Sequence, residues 1–85
     1  MSETPQNRIK RLKMRSMRRG IKEMDIILSA YADATLPSMS EEQITLYDSL
    51  LDENDQDLYS WVTGQTPSPA QFQELLSEIS QTFQK

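Results

Sequence analysis

At 85 residues the chain has room for one domain, with a small core and no enclosed cavity of substrate size. It contains neither Cys nor His, which excludes disulfides, thiolate chemistry and Cys-based zinc sites and removes the commonest general base. Its net charge of −4 divides unevenly: residues 1–22 carry eight Lys/Arg and one acid, and residues 23–85 carry one Lys and twelve acids.

The apolar residues recur at helical spacing throughout, and no alternating stretch of strand length interrupts them, so the chain reads as five short helices. The first starts at Thr4-Pro5, a capping residue followed by proline at the first helical position, and is predicted to run to about Arg18. Its apolar stripe is thin: Ile9, Leu12 and Met17, with Met14 off that face. The cations around it, from Lys10-Arg11 to Arg15, read first as a solvated face. Gly20 is the predicted stop, because a residue just past a helix end often needs a positive φ.

The second helix is predicted over about Ile21 to Ala34. Ile21, Met24, Leu28, Tyr31 and Ala32 share its core face, with Ile27 beside them, while Ile26 points away. Carrying the wheel back one turn gathers Arg19, Glu23, Ile26 and Ala30 on a second, mixed face. That face reads either as a contact surface or as an Arg19–Glu23 ion pair beside a singly exposed Ile.

Leu36-Pro37 breaks the pattern, and Ser40 with Gln43 then forms a capping box for a third helix, which buries Ile44, Tyr47, Leu50 and Leu51. The acidic run Asp52 to Asp57 lacks the Gly and Glu of a calcium-binding loop, so Asn54 reads as the cap of a fourth helix over Asp55 to Val62. That helix presents Leu58, Trp61 and Val62 as core and ends at Gly64. In the loop that follows, Ser68 is the predicted cap, Pro69 the first helical position and Gln71 the closing residue of a box. The fifth helix carries Phe72, Leu75, Leu76, Ile79 and Phe83.

These residues offer no nucleophile–base set, no glycine-rich phosphate turn and no metal-ligand spacing. No apolar run exceeds Ile26-Ile27-Leu28, which excludes a membrane-spanning helix, and the basic N-terminus has no apolar signal core. The basic first helix could meet phosphates, but it lacks an aromatic residue for stacking and the rest of the chain is acidic. A small helical binding protein remains, with nucleic-acid binding or another interaction through the basic helix as the alternative.

One resemblance narrows this. Arg18-Arg19-Gly20-Ile21-Lys22-Glu23-Met24-Asp25, with its R-G-x-x-E spacing, is similar to the signature of the FAD assembly factors of succinate dehydrogenase. A second block agrees: Leu50-Leu51, an acidic turn, then Asp57-Leu58-Tyr59-Ser60-Trp61, which resembles that family's D-L-[FY]-x-W segment. The resemblance covers roughly Arg8 to Phe83. It implies an all-α, compact five-helix bundle over residues 1–85, with fraying expected at 1–7, that acts as a chaperone rather than an enzyme. It implies binding to the flavoprotein subunit of succinate dehydrogenase or fumarate reductase and promotion of covalent FAD attachment to a histidine of that client. It implies that Arg19, Gly20 and Glu23 face the client; Arg18 beside them and Ile26 on the mixed face complete the expected partner-binding set. No cofactor, metal or catalytic residue is expected of the chain itself. Nor is specific nucleic-acid binding or membrane insertion, and the expected state is a monomer, placed in the bacterial cytoplasm ahead of the mitochondrial matrix because no Arg- and Ser-rich transit peptide is read before the domain. The sequence departs from the family in its unusually basic first helix and in lacking an aromatic residue shortly before the motif.

Overall fold

The computed structural model describes residues 4–17 and 19–83, with the side chain of Phe83 outside the described part. Five α-helices follow in order: α1 (Pro5–Arg15), α2 (Lys22–Thr35), α3 (Glu41–Leu51), α4 (Asp55–Val62) and α5 (Gln73–Phe83). Single 3-10 turns at Leu36–Ser38 and Ala70–Phe72 lead out of α2 and into α5, and no strand occurs among the described residues. The all-α five-helix bundle expected from the sequence is what forms. Its radius of gyration of 12.2 Å is the about 12 Å expected of a packed chain of this length.

The central helix is α2, which packs against α1, α4 and α5. It buries Met24, Ile27, Leu28, Tyr31 and Ala32, the face its spacing predicts, and leaves Ile26 exposed. From α3 come Ile44, Tyr47, Leu50 and Leu51, from α4 Leu58 and Val62, and from the α5 region Phe72, Leu75, Leu76 and Ile79. Trp61 is half-buried against this core, its ring 6.4 Å from that of Phe72.

The helix starts follow local chemistry. Thr4 accepts from the Asn7 amide, Asn54 from the Asp57 amide, and Ser40 with Gln43 closes a reciprocal capping box. At the end of α4, Gly64 takes φ 79°, so the Gln65 amide reaches Ser60 O at 2.8 Å and the Gly64 amide reaches Trp61 O at 3.2 Å. Only glycine adopts that backbone without steric cost.

Three local expectations are corrected. Helix α1 ends at Arg15 rather than near Arg18, because the Ser16 amide is shared between Leu12 O and Lys13 O and the last turn tightens. The Ser16 hydroxyl then folds back to Leu12 O and is buried against the Tyr47 hydroxyl at 2.6 Å. Gly20 does not take a positive φ; it instead stands in close approach to a carboxylate described below. Ser68 does not cap α5. Pro69 is extended, with ψ 144°, so helical geometry begins one residue later, in the 3-10 turn, where no side-chain cap bond is made.

The face of α1 is not solely solvated either. Its one buried apolar side chain is Leu12, yet Arg8, Arg11 and Arg15 reach across to α3. Arg11 meets Asp48 Oδ2 at 3.2 Å, Arg15 meets Asp48 Oδ1 at 2.5 Å and Asp52 Oδ1 at 2.6 Å, and Arg8 donates to Thr45 Oγ1 at 3.0 Å. Lys13 faces Asp33 of α2 at 3.7 Å.

Candidate functional site

The stretch between α1 and α2 is where the charge of the sequence changes sign, and the structure makes it a braced turn. Arg19 lies just before α2 and turns inward, with 12% of its side chain exposed, against an Asp55 that is 16% exposed. Its Nε and Nη2 both stand 2.7 Å from Asp55 Oδ1. The other Arg19 donors meet carbonyls: Nη1 reaches Arg15 O at 3.1 Å and Leu51 O at 3.4 Å, and Nη2 reaches Glu53 O at 3.3 Å. One guanidinium thus joins the C-terminal ends of α1 and α3, where carbonyls lack intrahelical partners and a cation is favoured. Through Asp55 it is also tied to the N-terminus of α4. The rigid fork of arginine makes this possible; a lysine ammonium is a point charge with fewer donors.

The second oxygen of Asp55 accepts from the Gly20 amide. A Cβ on Gly20 would stand 3.0 Å from that Oδ2, so a side chain here would push on the carboxylate that holds the turn. Glycine at position 20 leaves that carboxylate free to close on the backbone.

Helix α2 begins beyond the brace. Ile21 precedes it with extended backbone and no side-chain cap, while Glu23 and Asp25 place carboxylates in the first turn, where the helix dipole favours them. Glu23 is exposed and forms no ion pair among the described residues; of the two readings of the mixed face, the Arg19–Glu23 pair does not form, and Arg19, which lies outside the helix, pairs with Asp55 instead. Ile26, one turn on, is 58% exposed. Gly20, Glu23 and Ile26 therefore share the outer surface and Arg19 lies beneath it, while Arg18 falls outside the described residues. Met14 and Met17, at the end of α1, are the other large apolar side chains left exposed among the described residues.

Two features of the site escaped the sequence. Asp55 reads there only as an acid in the first turn of α4, yet it is the partner of both Arg19 and Gly20. Ser16 and Tyr47 form a buried polar seam beneath α1, with Tyr47 reaching toward Leu28 O at 3.5 Å. The only signal for the Asp55 pairing was the segregation of charge itself, and the sequence carried none for Ser16 with Tyr47. Burial pushes the Tyr47 hydroxyl up to about 12, against the lowering effect of its Ser16 bond and the nearby Arg19 charge. Burial also raises Tyr31, helped by the hydrogen bond to Glu78 Oε2 at 3.0 Å and the charge of that carboxylate. Among the described residues no group of three or more acids is placed to hold a metal ion, and no helix is long and apolar enough to cross a membrane.

Similar proteins exist in several eukaryotes. A succinate dehydrogenase assembly factor 2, mitochondrial, of Meyerozyma guilliermondii is 42% identical over 98% of this chain and 62% of its own length. The protein of the same name from Danio rerio is 40% identical over 89% of this chain and 49% of its own length. That of Aspergillus flavus is 48% identical over 68% of this chain and 20% of its own length. The chain thus spans between a fifth and about three fifths of these relatives. Their names place them in the mitochondrion, which overturns the expectation of a bacterial cytoplasmic protein. The folded bundle itself carries no physical mark of its compartment. Residues 10–83 match the family model described as flavinator of succinate dehydrogenase, and the chain belongs to that family.

Proposed function

We propose that the protein is an assembly factor that binds the flavoprotein subunit of succinate dehydrogenase and promotes covalent attachment of FAD to it, without chemistry of its own. The observation that carries this reading is the braced turn. A chain of the flavinator family presents Gly20, Glu23 and Ile26 outward from a backbone held in place from beneath. A glycine gives a client backbone close access, Glu23 offers an unshared carboxylate, and Ile26 offers an apolar anchor beside it; Arg18 precedes them and Arg19 acts from below. A rigid surface loses little entropy on docking, so more of its contact energy appears as affinity.

The bundle holds the client in the conformation in which flavin and acceptor side chain meet, leaving the bond-forming chemistry to the flavin. A fumarate reductase flavoprotein is a second client of the same chemistry, and the factor works as a monomer in the compartment its relatives occupy. The basic helix does not favour a nucleic-acid role, because Arg8, Arg11 and Arg15 are engaged by α3.

The test combines the full chain, the flavoprotein subunit and FAD, and measures protein-bound flavin fluorescence after denaturation. The parent chain should raise covalent flavin, and Glu23→Ala should lower that yield sharply at limiting factor while the bundle stays folded. Leaving a client group unpaired in a desolvated contact costs about 1–3 kcal/mol of binding. Unchanged flavin with a folded Glu23→Ala protein would remove this surface from the mechanism. Tight binding of FAD by the isolated chain would point to a flavoprotein instead.

A further inference from the structure

We propose that Asp55 is a positioning residue for the docking turn and that Arg19 serves with it, so that neither side chain contacts the client. The inference rests on the docking reading above and assigns the interior half of that site. Four observations carry it. Arg19 and Asp55 are the least exposed of the ion-paired side chains given above, at 12% and 16%. Every Arg19 donor contact is directed at Asp55 or at the carbonyls of Arg15, Leu51 and Glu53. Asp55 spends its second oxygen on the Gly20 amide. The space a Cβ would need at Gly20 is limited by that same carboxylate at 3.0 Å.

An arginine committed in this way cannot also pair with a client without dismantling the corner of three helices. Its place in the R-G-x-x-E spacing is explained by what it holds. The carboxylate belongs to the first residue of α4, 35 positions from Gly20, and lies in the acidic turn of the second block through which the chain resembles its family. The two sequence blocks therefore form one device: the second supplies the brace for the first. A merely structural ion pair would stabilise the bundle without setting the geometry of the Gly20 amide, and this difference can be measured.

The experiment uses the full chain with Asp55→Ala, Asp55→Asn and Arg19→Lys. Asp52→Ala is the control, because it breaks the neighbouring Arg15–Asp52 pair without touching Gly20. Amide hydrogen exchange at Gly20 and affinity for the flavoprotein subunit are read below the melting temperature of every variant. Asp55→Ala should speed Gly20 exchange and weaken client binding, each by roughly tenfold or more, since it removes the acceptor of the Gly20 amide together with the partner of Arg19. Asp55→Asn keeps an oxygen that can accept from Gly20 and should recover part of both, and it remains informative if the alanine variant does not fold. Arg19→Lys should weaken binding although charge is retained, and Asp52→Ala should bind like the parent. Gly20 exchange that ignores Asp55 would overturn the brace. Full binding by Asp55→Ala alongside impaired binding by Glu23→Ala would overturn the positioning role alone. Equal losses in Asp52→Ala and Asp55→Ala would reduce it to general stability. Full binding by both Glu23→Ala and Asp55→Ala would overturn the docking reading and this inference with it.

Discussion

Helix α2 lies between two edges of the bundle that are held by different physics. Toward α4 and α5 it packs through Leu28, Tyr31, Leu58, Phe72 and Ile79, side chains almost wholly removed from water. Toward the N-terminus, α1 contributes Leu12 and Ser16 to the buried interior and is otherwise fastened by arginines to Asp48 and Asp52, with Arg19 on Asp55 at the end of the row. Apolar burial is non-directional and rewards any close fit, whereas paired charges and forked hydrogen bonds set orientation. The turn at Gly20 lies on the second kind of edge, where a precise backbone position can be held without a deep core.

The largest effect should come from the apolar edge. Leu28→Ala removes a fully buried side chain and should cost about 2–5 kcal/mol, seen as a large fall in melting temperature that added salt does not rescue. Equal sensitivity of this variant and of the arginine row to salt would erase the distinction.

The seam between the two edges is tested by alkali. An unfolded tyrosine releases its proton near pH 10, while Tyr47 in the bundle keeps its proton to about 12. Over that interval the unfolded chain binds fewer protons than the native one, so stability falls as pH rises from about 10 to 12 and is complete below it. The loss attributable to Tyr47 is about 2–3 kcal/mol, checked by denaturant melts across that range alongside tyrosinate absorbance. Tyr47→Phe should lessen the dependence and leave the part due to Tyr31, whose hydroxyl is also raised.

A smaller effect should follow from Asp48→Ala, which withdraws the carboxylate met by Arg11 and Arg15 and approached by Arg8. We expect about 1–2 kcal/mol at low salt, shrinking as salt screens these partly exposed charges, with faster amide exchange confined to α1. Exchange that rises equally in α1 and α5 would mean that the two edges melt as one.

Least of all should change with Glu23→Ala, which should shift stability by less than about 0.5 kcal/mol, because the exposed carboxylate has no ion-pair partner among the described residues and alanine is a good helix former. A melted Glu23→Ala protein would place this residue among the supports of the turn instead of on its surface.

Much of the molecule was determined by the sequence alone. Five helices, the caps at Thr4, Ser40 and Asn54, the stop at Gly64 and the buried faces of α2 to α5 all follow from residues within about four positions of one another. Over that range, helical spacing and backbone hydrogen bonding dictate geometry. The R-G-x-x-E block could likewise be placed at a helix junction, with Glu23 and Ile26 outward. What only the tertiary structure decided was which acids answer the basic segment. Arg15 could have met any of the twelve acidic side chains of residues 23–85, and Arg19 was nearest in sequence to Glu23, yet the packing of α3 and α4 brings Asp48, Asp52 and Asp55 to them from more than thirty residues away. The same packing buries Ser16 on Tyr47 just past the end of α1, and it gives Gly20 a role in proximity to Asp55 rather than in a positive φ. Charge pairing has no periodicity along a chain. It is settled by which helix ends meet, and that is a property of the assembled bundle.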